Sequence, residues 1–206
     1  VKGVIFDLGG VVVEWSNDVT YRHIEERFGI PAADFKAEAE KGIPGAQTGE
    51  PLEQEWMKNT FYRFGDFPPE TWRAWGTTFE TARYNDDVVK LVTRLREKGV
   101  RVAALSNLEP SRARWLKRHR INSLFDAVVF SCEVGMRKPD LKPGCSEDLA
   151  IYRFALGRID LKPSECVFID DNANCVSAAE HVGMKGVQFR NATQLEDELK
   201  KLGLLP

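Results

Sequence analysis

Three short stretches place reactive side chains where apolar runs end, and a fourth adds a lysine. Val4-Ile5-Phe6 runs into Asp7, with Gly9 and Gly10 just beyond. Val102-Ala103-Ala104-Leu105 runs into Ser106 and Asn107, and Val167-Phe168-Ile169 runs into Asp170 and Asp171. Between these last two, Gly135-Met136-Arg137-Lys138-Pro139-Asp140 brings in a lysine. Carboxylates from two such ends can share Mg2+, a hard cation that takes oxygen ligands. A hydroxyl, backbone N–H groups and an ammonium can hold a phosphate. A carboxylate that is both metal neighbour and nucleophile can itself be phosphorylated. Each stretch alone also has a plainer reading: Asp7 as a turn former, Ser106 as a strand end, Lys138 as a solvated loop lysine, Asp170-Asp171 as a helix N-cap pair.

The elements that would position these groups alternate. Residues 4–6, 100–105, 125–130, 165–169 and 185–189 read as strands. Helical patterns fill 110–120, 147–156 and 172–182, and another starts behind the N-cap Asn85 and stops at Gly99. Thr193 and Glu196 form a predicted capping box for a last helix carrying Leu195, Leu199 and Leu202. Strands alternating with helices predict an α/β fold, a parallel sheet covered on both faces. Right-handed crossovers make it a doubly wound, three-layer sandwich. The carboxyl ends of its strands share one edge, so the candidate groups are expected to converge there.

From 15 to 79 the pattern is helical, with no convincing strand. Segments run to Phe28, from Ala32 to Lys41 behind Pro31, over 51–62 and over 68–79, and the Gly/Pro-rich stretch 42–49 reads as a loop. The expected organisation is an α/β core from 1–14 and 85–206, with 15–84 inserted as a helical-bundle cap. Trp15, Tyr21, Trp56, Trp72 and Trp75 are expected to pack between the bundle helices, the alternative being that one or two line a pocket. Arg112, Arg114, Lys117, Arg118 and Arg120 read as a solvated basic face.

The 206 residues carry a formal charge of −2, so nothing global draws the chain to nucleic acid or an anionic membrane. No run of about eighteen apolar residues occurs. No basic leader precedes the first strand, and Cys132, Cys145, Cys166 and Cys175 include no C-x-x-C pair, so a cytoplasmic, reducing setting is expected. Cys132 and Cys166 read as buried small hydrophobes. His23, His119 and His181 match no ligand spacing.

In this order and on these elements, the motifs resemble the haloacid dehalogenase-like hydrolases, in the branch whose cap follows the first strand. The carrying residues are Phe6-Asp7-Leu8-Gly9-Gly10-Val11, Leu105-Ser106-Asn107, the Gly135–Asp140 segment and Phe168-Ile169-Asp170-Asp171. The segments 151–156 and 178–184 add to the likeness. The resemblance implies a Mg2+-dependent phosphatase acting on a small phosphorylated metabolite. Asp7 would attack phosphorus. Ser106 and the backbone of Asn107 would hold the phosphoryl group, and Lys138 would neutralise nucleophile and phosphate. Asp171, supported by Asp170, would bind Mg2+ with Asp7 and the Gly9 carbonyl.

The chain departs from that pattern where phosphatases of the family usually carry a second Asp, which protonates the leaving group and activates water. Gly9 stands there. Glu14 or an acid from the cap could substitute. The departure keeps open a catalytically weak binding or regulatory protein, and 2-haloacid dehalogenation is a further alternative. Cys175 replaces an Asn common in relatives. About eight residues between Asp140 and Ile151 look inserted, and Lys142 competes with Lys138, which matches better by its neighbours. Specificity is expected in the cap, including the loop 45–50.

Overall fold

A short, wholly buried strand, Gly3–Phe6, lies at the centre of the sheet. The computed structural model describes residues 1–139 and 149–206. Strands are β1 Gly3–Phe6, β2 Val13–Glu14, β3 Arg83–Tyr84, β4 Arg101–Ser106, β5 Ala127–Phe130, β6 Cys166–Asp170 and β7 Lys185–Gln188. Helices are α1 Asn17–Phe28, α2 Ala32–Ala46, α3 Glu53–Tyr62, α4 Ala74–Thr77, α5 Asp86–Glu97, α6 Pro110–Arg118, α7 Ile121–Leu124, α8 Ser131–Val134, α9 Ala150–Arg158, α10 Ala173–Val182 and α11 Ala192–Lys201. Asp140, Lys142, Cys145 and the predicted helix start at Glu147 lie outside the described residues.

The main sheet has the order β5-β4-β1-β6-β7, and every neighbouring pair is parallel. Side chains alternate across it with period two. Val4 and Phe6 of β1, with Val102 and Ala104 of β4, join one core with α5, α6 and α11. Ile5 and Ala103 join the opposite core with α9 and α10. Helices therefore cover both faces, which makes the doubly wound, three-layer α/β sandwich read from the sequence. None of the described helices is long and apolar enough to cross a membrane.

Helices α1 to α4 gather around a separate apolar cluster that includes Tyr21, Phe35, Trp56 and Trp75. The chain enters and leaves this helical segment through β2 and β3, which pair antiparallel with Val13 opposite Tyr84. Both strands are too short to signal themselves by alternation.

Several predicted boundaries shift. Helix α2 continues to Ala46 through Gly42, Pro44 and Gly45, where a loop was expected. These glycines admit close packing: a Cβ at Gly42 would meet Trp56 Cδ1 at 2.1 Å, and one at Gly45 the Glu50 carbonyl at 2.5 Å. The helix predicted over 68–79 breaks into 3-10 turns, Pro69–Arg73 and Thr78–Thr81, on either side of α4. The last helix is capped by Asn191, whose side chain accepts from the Gln194 N–H, not by Thr193. Asn191 has the extended backbone an N-cap needs, while Thr193 already lies inside the helix. Cys132 lies half-buried in α8, a short helix with no sequence signal.

One contact joins the helical segment to the α/β part with particular economy. Glu53 of α3 is buried and accepts bonds from the Ser111 N–H at 2.9 Å and the Ser111 hydroxyl at 2.5 Å, so it caps the first turn of α6 from across the interface. Burial raises its carboxyl pKa, against the pull of those bonds. Glu53→Ala is expected to cost about 1–3 kcal/mol, because the Ser111 donor loses its partner. Urea unfolding checks this, and a variant as stable as wild type would show that water replaces the carboxylate.

Candidate active site

β1 delivers Asp7 to the carboxyl edge of the sheet, where the Asp7 N–H still bonds the Ile169 carbonyl at 2.7 Å. Beyond it the chain coils tightly, and the Leu8 carbonyl accepts from the N–H groups of Val11, Val12 and Val13. Gly10 makes the coil feasible. Its φ is +72°, and a Cβ there would lie 2.4 Å from Asp171 Oδ2. The coil thus brings Asp171 against the loop that follows Asp7.

Lys138 is buried with 3% exposure, its Nζ 2.7 Å from Asp7 Oδ1 and 2.6 Å from Asp170 Oδ2. Burial works against its charge, but the two carboxylates outweigh it and hold its pKa above the usual lysine range. Asn107 fixes the lysine's backbone: its side-chain amide donates to the Lys138 carbonyl at 2.9 Å, and its carbonyl oxygen accepts the Lys138 N–H at 2.7 Å. Asp170 is fixed in turn by the Asn172 N–H, which donates to Oδ1 at 2.8 Å.

Burial raises the Asp7 pKa to about 6; Lys138 opposes this and Asp170 adds to it. Burial also raises Asp170, and burial followed by the Asp7 charge raises Asp171. The common direction means that one ammonium does not satisfy three clustered carboxylates. Asp7, Asp170 and Asp171 offer oxygens all within 4.8 Å of one another. An all-oxygen, strongly anionic donor set of this size fits Mg2+.

The cluster opens onto a cavity of about 430 Å³. Every candidate site residue lines it: Asp7, Gly9, Ser106, Asn107, Lys138, Asp170 and Asp171. Ser106 is buried at the end of β4. The helical segment contributes Asn17, Ile43 and Gln47, the last from the stretch expected to carry specificity. Glu14 is exposed in β2 and takes no part, and the described wall from the helical segment contains no acid. Cys175 also lines the cavity, with its thiol 3.9 Å from the Pro139 carbonyl.

Two lining residues stand apart from the leading sequence reading. Trp15, expected between bundle helices, stands beside Gly9. Arg112, expected on a solvated face, is only 5% exposed. Its guanidinium donates to Asn17 Oδ1 at 2.6 Å, pairs with Glu109 at 3.3 Å and lies over the rings of Trp15, Trp75 and Phe79. The signal was its place on one helical stripe with Trp115 and Leu116, three and four residues on. Arg114, Lys117 and Arg118 of the same helix are exposed as expected.

Gly10→Ala is expected to cost about 1–3 kcal/mol from the left-handed backbone alone and to displace the Asp171 carboxylate. Chemical unfolding measures the first effect and titration with Mg2+, followed by thermal shift, the second. Wild-type values in both would remove the requirement for glycine.

The chain matches the family model described as haloacid dehalogenase-like hydrolase over residues 1–183. It is 27% identical over 208 residues to the sesquiterpene phosphatase astK of Aspergillus oryzae, covering 98% of this chain and 96% of that protein. It is 25% identical over 217 residues to the bifunctional epoxide hydrolase 2 of Rattus norvegicus, covering 96% of this chain but 38% of that longer protein. A HAD family enzyme from Bacteroides thetaiotaomicron, solved in complex with magnesium and inorganic phosphate, has a TM-score of 0.73 at 20% identity, over 92% of this chain and 94% of that one, and so shares the fold. With the family model spanning four of the five strands of the sheet and the described residues that line the cavity at its carboxyl edge, the chain belongs to the haloacid dehalogenase-like hydrolases.

Proposed function

We propose that this hydrolase is a Mg2+-dependent phosphatase of a small phosphorylated metabolite, working through a phosphorylated Asp7. The observation that carries the reading is the cluster of three carboxylates around Lys138 at the mouth of the parallel sheet. The phosphatase among its relatives and the fold it shares with an enzyme that binds magnesium and phosphate agree with it.

In this reading Asp7 attacks phosphorus with one carboxylate oxygen. Lys138 lessens the repulsion between that anion and the incoming phosphate. The Ser106 hydroxyl and the Asn107 backbone N–H donate to phosphoryl oxygens, while the Asn107 side chain keeps Lys138 in place. Asp7, Asp171 and the Gly9 carbonyl hold Mg2+, with Asp170 in support, and the ion when bound supplies positive charge beside the transferred group. Water then hydrolyses the acyl phosphate on Asp7. Residues 15–84 act as the cap, limiting bulk water above the cavity. Metal-free dehalogenation would leave the three clustered carboxylates with the Lys138 ammonium but no divalent counter-charge.

Release of phosphate from p-nitrophenyl phosphate is expected to need Mg2+, to stop in EDTA and to be lost in Asp7→Asn. Activity that survives EDTA or Asp7→Asn defeats the reading. A second expectation concerns stability. The Asp7 pKa rises from 3.8 to about 6 on folding, so the folded state binds more protons between those values. Its contribution to stability therefore falls as pH rises through that window. Mg2+ offsets the resulting charge, so it is expected to raise the melting temperature at neutral pH and to lose that effect below about pH 6. A Mg2+ effect that persists under acid conditions would place the ion elsewhere.

A further inference from the structure

We propose that the protein cleaves phosphates whose leaving group departs as an anion without a proton from the protein, and that Trp15 sets this limit. The inference rests on the phosphatase reading and names its substrate class: phosphates carried on acidic hydroxyls such as phenols, enols and hemiacetals, on carboxyl groups, or on another phosphate.

The space beside Gly9 is filled. A Cβ built on Gly9 lies 2.7 Å from Trp15 Cζ2 and 3.0 Å from Cη2, so no side chain fits there while the indole stays. The indole is well held. It meets Phe79 edge to face at 4.8 Å between centroids, and the Arg112 guanidinium lies 5.8 Å from its ring centre. Phe79 in turn packs edge to face on Trp115. The tryptophan and the glycine therefore form a pair, and the pair excludes a carboxylic acid two residues after the nucleophile.

No other described group takes over the proton. The carboxylates lining the cavity are Asp7, Asp170 and Asp171, all in the cluster around Lys138. Glu109 is fully buried and engaged with Arg112 and Gln47. The walls instead offer cations, Lys138, Arg112 and Arg137. An arginine stabilises an anion by charge but keeps its protons. In the step proposed, an Asp7 oxygen forms the new bond to phosphorus and the bond from phosphorus to the leaving oxygen breaks. The electron pair leaves on that oxygen, which takes its proton from bulk water afterwards.

The test compares kcat/KM for p-nitrophenyl phosphate and cyclohexyl phosphate, both with Mg2+, in the wild type and in Gly9→Asp/Trp15→Val. A general acid contributes about 10²–10⁴-fold to departure of a poor leaving group. The wild type is expected to favour the aryl ester by about a hundredfold or more, and the double variant to narrow the ratio by gaining on the alkyl ester. A smaller wild-type ratio overturns the proposal, whether or not the double variant folds. A folded double variant with an unchanged ratio removes Trp15 from it. Absence of Asp7-dependent turnover on both esters is a different result, since it defeats the phosphatase reading itself.

Discussion

Lys138 sits between Asp7 and Asp170, at 2.7 Å and 2.6 Å, and each of the three is almost wholly buried. Removing an ammonium from water costs several kcal/mol unless opposite charge and hydrogen bonds replace the lost hydration. Here the replacement for the ammonium comes from the Asp7 and Asp170 carboxylates at the ends of two strands, while Asn107, just beyond a third, holds the lysine's backbone. The parallel register sets β1 beside both β6 and β4, so the residues that follow each strand meet without any strained connection. The lysine arrives from the chain after β5, and the reciprocal amide bonds with Asn107 fix where it enters. The arrangement leaves negative charge in excess, which is the condition a divalent cation relieves.

A second set of buried polar contacts ties the helical segment to the sheet, and α6 is the element on which they converge. Its N-terminal region receives Glu53 from α3, while Glu109 and Arg112 meet Gln47 and Asn17. The aromatic rings around Arg112 exclude water from its guanidinium and favour the cation over their faces. One wall of the cavity thus comes from the joint between the two parts of the chain, so its shape depends on how that joint is packed.

Much of this was legible in the sequence because it follows from simple rules. Asp7, Ser106 and Asp170 each end an apolar run, and a parallel sheet gathers such ends on one edge. What escaped depended on packing across long sequence separations. Gly42 and Gly45 look like helix breakers until Trp56 and Glu50 are seen against them. Arg112 looks like one more charge in a basic helix until its partners Asn17 and Glu109 are known. Trp15 looks like a core aromatic, and only the fold reveals that its ring fills the space beside Gly9. Thr193 with Glu196 satisfied a capping pattern, but Asn191, two residues earlier, reached the free N–H first.

The small ribbon of β2 and β3 has a bearing on how this architecture can diversify. Val13 faces Tyr84, and the Asn85 N–H bonds the Val12 carbonyl, so the helical segment departs and returns at one point. To the sheet, everything between those strands is a single closed loop. Closing such a loop costs only about 0.6 kcal/mol more for each doubling of its length. In closure entropy the excursion can therefore lengthen or shorten with little effect on the sheet beneath it, so long as the contacts of Asn17, Gln47 and Glu53 with α6 are kept. New walls for the cavity can thus arise while the charged cluster stays as it is.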